Sequence, residues 1–127
     1  MAGLDEGVPL FIQIAERLAD EIADGTLPEG ERAPSTNELA AYYRINPATA
    51  AKGLGMLTDD GLLEKRRGIG MFVAAGARVR LLTERRKRFA ERYVEPLVAE
   101  ASRLGIDADE LVALIRESSF PQRGTTP

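Results

Sequence analysis

The chain has 127 residues, 44% hydrophobic and 29% charged, with a net charge of −3 and no Cys, His or Trp. That length supports one domain with a modest core, or a small domain with an appendage. The missing residue types exclude disulfides, thiolate or imidazole zinc sites, a cysteine nucleophile and a Ser-His-Asp relay. No apolar run approaches the ~20 residues of a membrane span. The acidic N-terminus MAGLDEGVPL also lacks the apolar core of a secretory signal. The expectation is a cytoplasmic protein with no membrane contact, no cofactor and no enzymatic constellation.

Charge is unevenly spread. Residues 1–30 carry seven acids and one base, residues 31–75 five acids and six bases, and residues 76–127 eight acids and ten bases. A middle segment so nearly neutral does not by itself identify a nucleic-acid partner.

In chain order, Pro9 to Asp24 reads as an amphipathic helix. Leu10, Ile14, Leu18 and Ile22 recur every four residues, Phe11, Ala15 and Ala19 widen the stripe, and Gly25 closes it. Thr26-Leu27-Pro28-Glu29-Gly30 is a turn, and Glu31-Arg32-Ala33 a short extended piece. Ser35 with Glu38 three residues later is a capping box that starts a second helix, with Leu39, Ala40 and Tyr43 inward. That helix ends near Arg44. Asn46 then caps a third, with Pro47 at its first position and Ala50, Leu54, Met56 and Leu57 on its apolar face. So short a connection between two helices is the helix-turn-helix signature, although the Gly often found in that turn is missing.

Asp59-Asp60-Gly61 ends the third helix. Two extended runs follow, Leu62-Leu63 and Met71-Phe72-Val73, joined by Arg66-Arg67-Gly68-Ile69-Gly70, where two glycines permit a tight reversal beside two arginines. After the small-residue joint at Ala74–Ala77, a helical pattern runs from about Arg78 to Leu104, with Val79, Leu82, Phe89, Tyr93, Leu97 and Leu104 near one stripe. Pro96 should kink or break it, and Gly105 ends it. Asp107 with Glu110 caps a last short helix. The expected division is a winged helix-turn-helix over residues 8–76, a two-helix dimerisation segment over 77–120, and a disordered tail over 121–127. The fold class is mostly α with a small β wing. The two C-terminal helices cannot enclose a core, so a second copy of the chain is the economical partner.

The third helix exposes Asn46, Ala48, Thr49 and Lys52, residue types that suit phosphate, base-edge and thymine-methyl contacts. An ordinary surface helix would look the same. Arg66 and Arg67 could clamp phosphates or simply be solvated. Gly68-Ile69-Gly70 lacks the spacing of a nucleotide-binding loop. Glu84 to Arg88 reads as a solvated helix face, and Asp59-Asp60 as a turn.

The order of elements and a set of local matches decide between these readings. Gly25-Thr26-Leu27 with Pro28-x-Gly30, Arg32-x-Pro34-Ser35, Glu38-Leu39-Ala40, Asn46-Pro47-x-Thr49, Gly61-Leu62 and Arg66-Arg67-Gly68-x-Gly70-x-Phe72-Val73 lie within residues 9–73. The chain resembles the GntR-type bacterial transcription regulators, and its short helical tail looks like the YtrA subfamily. The resemblance implies DNA contacts at Arg32, Ser35, Asn37, Asn46, Pro47, Ala48, Thr49, Lys52, Arg66, Arg67, Gly68 and Gly70. It departs from the family pattern at Asn37 and Lys52, where Arg is usual, and at Ala33, where Leu is usual; Lys52 forgoes bidentate geometry. The implied function is a homodimeric repressor of a pseudo-palindromic operator on double-stranded DNA. A small-molecule effector could sit at the dimer interface. The competing reading is a winged helix used for protein–protein contact.

Overall fold

A computed structural model describes residues 7–118. The chain forms two compact units that divide between Arg85 and Arg86. In the first, α1 (Leu10–Asp24) packs chiefly on α3 (Pro47–Asp59), and α2 (Thr36–Tyr43) packs on α3 as well. The expected stripe is the one buried: Ile14, Leu18 and Ile22 of α1 meet Ala50, Leu54 and Leu57 of α3 in one cluster with Leu39, Leu62, Leu63 and Val73. Leu10, at the helix entry, stays largely exposed. Each large side chain fully removed from water contributes about 1.5–3 kcal/mol, and Ile14, Ile22, Leu54 and Val73 are the largest so removed.

Local chemistry sets the helix ends. Gly25 closes α1 at φ +86°, donating its N–H to the Ile22 carbonyl. The Ser35–Glu38 capping box opens α2, and the Asn46 side chain with Pro47 opens α3. Among the described residues, Arg44 alone of the non-glycines has positive φ, at +57°. It takes the left-handed position that a glycine would occupy in the turn between α2 and α3, a backbone choice that costs a bulky residue about 1–2 kcal/mol. The half-buried Ile45 beside it packs against the core and holds the turn.

Strands β1 (Leu63–Arg66) and β2 (Gly70–Val73) pair antiparallel in the register Leu63↔Val73 to Arg66↔Gly70. Residues 30–33 run along the other edge of β2. The Gly30 N–H bonds the Val73 carbonyl, the Val73 N–H the Glu31 carbonyl and the Ala33 N–H the Met71 carbonyl, at 2.8–2.9 Å. Arg32 sits opposite Phe72 as an isolated bridge.

Helix α4 (Ala77–Phe89) starts inside the first unit. Ala77 and Leu81 are buried in the same core, whereas Val79, on the stripe read with Phe89 and Tyr93, is 67% exposed. The helix meets the core through the Ala77–Leu81 spacing of four, which turns Val79 outward. Its arginines take up carbonyls and acids of the same unit: Arg78 Nε donates to the Ala23 carbonyl at 2.8 Å, Arg80 to the Gly61 carbonyl, and Arg85 to Asp20 at 2.7 Å. Ala23 lies in the last turn of α1, where carbonyls lack intrahelical partners.

The second unit contains a π turn (Ala90–Val94), α5 (Glu95–Arg103) and α6 (Ala108–Glu117). Pro96 widens the helix instead of ending it. It has no N–H for the Arg92 carbonyl and its ring would clash there. The Glu95 N–H bonds five residues back to Ala90, opening one turn ahead of the proline. A Schellman motif closes α5: Ile106 N–H to the Ala101 carbonyl and Gly105 N–H to Ser102, with Gly105 at φ +74°. Asp107 and Glu110 then form the expected capping box. The expected tail, residues 121–127, lies outside the described residues.

Two glycines of α3 separate packing from propensity. A Cβ on Gly53 would stand 3.0 Å from the Phe11 carbonyl and 3.3 Å from an Ile14 methyl, whereas one on Gly55 would meet nothing within 4 Å. Gly55→Ala is expected to stabilise the fold by up to about 1 kcal/mol through helix propensity. Gly53→Val should destabilise it by about 2 kcal/mol through overpacking. Urea melts of both variants check this; equal midpoints would mean that α1 and α3 do not meet at Gly53.

Candidate nucleic-acid interface

The N-terminal half of α3 projects Asn46, Pro47, Ala48 and Lys52 into solvent, with Thr49 half-buried behind them, while Ala50, Gly53 and Leu54 turn into the core. Asn46 Oδ1 accepts the Ala48 N–H at 2.8 Å. Its acceptor is therefore engaged in the cap, and its NH₂ group is left to donate. Ser35 is in the same position: Oγ accepts the Glu38 N–H at 3.1 Å, and the Ser35 N–H donates to Glu38 Oε1 at 2.7 Å. Asn37 is exposed one residue into α2. The two helix starts bring positive dipole ends to the same helix-turn-helix. Hydrogen bonds from Ser35, helped by Arg32 at 3.8 Å, hold the Glu38 carboxyl below the usual carboxylate range.

The wing adds a row of cations around an aromatic. Arg32, Phe72 and Arg66 share one face of the sheet, because Arg32 is paired opposite Phe72 and Arg66 lies two positions along β1 from Glu64, the register partner of Phe72. The Arg66 guanidinium stacks 4.1 Å from the Phe72 ring centroid and lies 3.5 Å from Glu64. On the other side of β2 the Arg32 side chain passes over Gly70, where a Cβ would stand 2.9 Å from Arg32 Nε. Gly70 therefore makes room for Arg32. Gly68, at φ +76°, turns the wing tip, with the Ile69 N–H on the Arg66 carbonyl at 2.9 Å. Arg67 is exposed in that turn.

This fold is shared by proteins of one family. The profile described as "Bacterial regulatory proteins, gntR family" matches residues 11–73. A solved GntR-family protein from Bacteroides thetaiotaomicron is 30% identical, with a TM-score of 0.70, covering 85% of this chain and 94% of its own. The chain belongs to the GntR family. The HTH-type transcriptional repressor YtrA of Bacillus subtilis is 27% identical over 91% of this chain and 88% of its own length, so the likeness continues through the C-terminal helices. The AraR DNA-binding domain solved in complex with operator ORX1 is 31% identical, with a TM-score of 0.52, over 58% of this chain and 90% of that one. As a GntR regulator the chain carries a DNA-binding winged helix-turn-helix and acts in transcription regulation.

The twelve residues expected at the interface fall into two groups. Ser35, Asn37, Asn46, Pro47, Ala48, Thr49 and Lys52 lie on the helix-turn-helix, and Arg32, Arg66, Arg67, Gly68 and Gly70 on the wing. Three neighbours were not among those expected. Arg44 puts an exposed cation in the turn just before α3; its signal in the sequence is the absent glycine. Phe72 supports Arg66. Phe11 lies under Lys52, whose Nζ is 4.1 Å from the ring centroid; nothing in the sequence pattern marks that pairing.

Because the Glu38 carboxyl is held low, its hydrogen bonds add stability above the ordinary carboxylate range, and that stability is lost as pH falls through the lowered value. Asp24, held low by Thr26, acts in the same direction. Glu38→Gln keeps an acceptor for the Ser35 N–H and removes the titration. Urea midpoints taken between about pH 5 and pH 3 should fall less steeply for this variant than for the parent. Parallel curves would show that the α2 cap is not the linked group.

Proposed function

We propose that this protein is a homodimeric transcription repressor that places α3 of each copy in the major groove of one half of a pseudo-palindromic operator, with the wing beside it. The observation that carries the reading is the capped, solvent-facing start of α3. It offers Asn46, Ala48 and Lys52 from a helix whose opposite face is locked into the core. Ala48 can meet a thymine methyl, and Lys52 a guanine edge or a phosphate. Ser35, Asn37 and the α2 start suit a phosphate, which would fix register without reading sequence. Arg32, Arg66 and Arg67 line the wing for phosphate or minor-groove contact. The repressor in the reading draws support from the name of YtrA, and the operator from the AraR complex.

The homodimer rests on the second unit. Phe89, Tyr93, Leu97, Val98, Leu104 and Ile115 are all at least 40% exposed there, and among its described residues only Ala101 is buried. An apolar face of that kind needs a partner, and a second copy supplies the same face by two-fold symmetry. If a small effector acts, an apolar ligand held between the two copies fits this face. The two half-sites would then be separated by about one helical turn, roughly 34–36 Å.

Selection of bound duplexes from a random library should return an inverted repeat. On that sequence Lys52→Ala and Arg67→Ala are each expected to weaken binding by about 1–3 kcal/mol if a base edge is contacted, or to lower the salt slope by about 1 if a phosphate is contacted. Fluorescence anisotropy at several salt concentrations separates these cases. Unchanged affinity in both variants would remove DNA from this face and favour a protein partner. Truncation after Arg85 leaves the whole first core in place. It should give a folded monomer by light scattering, with operator affinity reduced at least tenfold, about 1.4 kcal/mol or more. A truncated chain that remains dimeric would place the interface elsewhere.

A further inference from the structure

We propose that Phe11, in the first turn of α1, is a positioning residue for operator recognition: its ring holds the ammonium of Lys52 on the exposed face of α3. The inference rests on the proposed DNA-binding role of α3 and assigns a task to a residue outside it. Lys52 is the only cation in α3, seated between the capped start and the acidic end at Asp59. A lysine on four rotatable bonds is a mobile point charge, with none of the fixed fork of an arginine. Here the charge has a seat. Nζ lies 4.1 Å from the Phe11 ring centroid, well within the reach at which a ring face attracts a cation. The backbone makes this contact possible. Gly53, the next residue after Lys52, lets the Phe11 carbonyl approach to where a Cβ would stand 3.0 Å away. The first turn of α1 is itself anchored: the buried Gln13 donates Nε2 to the Val8 carbonyl at 2.6 Å. The ring is half-buried and Lys52 is exposed, so one side of the ammonium rests on the ring and the other side faces solvent, where a base or phosphate would lie. A cation pre-placed in this way loses less freedom on binding than a free lysine does.

The test is a double-mutant cycle on the selected operator, using the full-length chain. Phe11→Leu should weaken binding about two- to fivefold, the worth of an exposed cation–π contact. It should also reduce discrimination against operators substituted at the position that Lys52 serves. Phe11→Tyr, which keeps the ring, should restore both. In the Lys52→Ala background, Phe11→Leu should change neither. In the protein without DNA, the Lys52 ε-methylene proton resonance should lie upfield from the ring current and return to its ordinary position in Phe11→Leu. Losses of equal size with and without Lys52 would show that Phe11 acts through packing and would overturn the proposal. So would an ε-methylene shift that ignores Phe11→Leu. Operator binding that is indifferent to Lys52→Ala would overturn the proposal at the lysine, while the resonance shift would still report whether the ring contact exists.

Discussion

The close approach of α1 and α3 at Gly53 is the constraint on which the first unit depends. With no side chain there, the α3 backbone settles against the Phe11 carbonyl and the Ile14 methyl. That depth lets Ile14 and Ile22 close over Leu54, and it leaves Ala50 fully buried one turn earlier. Small residues sit where the helices touch, and leucines fill the space where they diverge, as close packing requires. The same approach decides which side of α3 remains outside. Asn46, Ala48 and Lys52 are exposed because Ala50, Gly53, Leu54 and Leu57 are committed to the core. Core and candidate interface are two faces of one helix, fixed together.

A net charge of −3 looks unfavourable for a polyanionic partner. Placement removes the difficulty. Asp20 is paired with Arg85, Asp24 accepts the Thr26 N–H, and Glu38 is held in the α2 cap beside Arg32. Asp59 and Asp60 lie at the far end of α3. Seven residues of helix at ~1.5 Å each put Asp59 about 10 Å along the axis from Lys52, close to one Debye length at 0.1 M salt. A segment sum adds these charges as though they were at one point, whereas the start of α3 and the wing present theirs separately.

Features written in neighbouring residues were legible in the sequence. Ser35 with Glu38, Asn46 with Pro47, Gly61 after Asp60, and Asp107 with Glu110 form the caps and turns that their chemistry implies. The glycine pair at 68 and 70 makes the wing. What the pattern missed depends on contacts far apart in the chain. Nothing near Val79 reveals that α4 enters the core through Ala77 and Leu81, because that choice is made by α1 and the α3–β1 turn, through Arg78 and Arg80. Pro96 announced a kink or a break, and a π turn just ahead of it relieves its clash. Arg44 shows tertiary packing overruling local preference: Ile45 on the core and Asn46 in the cap dictate the turn, and the residue before them accepts a left-handed backbone. The cation–aromatic pairs at the candidate site, Lys52 on Phe11 and Arg66 on Phe72, join residues 41 and 6 positions apart, at spacings no periodicity encodes.

The two units also differ in how much of their own stability they hold. The first closes a core from α1 through the start of α4, so a winged helix can persist without help from a second copy. The second leaves Phe89 and Tyr93 exposed before α5 and aliphatic side chains exposed along α5 and α6, and burial of that face is the gain that association would bring. In the proposed dimer this asymmetry makes operator affinity a property of assembly. One winged helix offers a single short helix start and a wing, a modest set of contacts. A second copy tethered to the first meets its half-site at an effective concentration set by the linkage, and so multiplies affinity without adding a new kind of contact. In such a dimer, anything that loosened the apolar face between copies would weaken DNA binding without touching Lys52 or the wing.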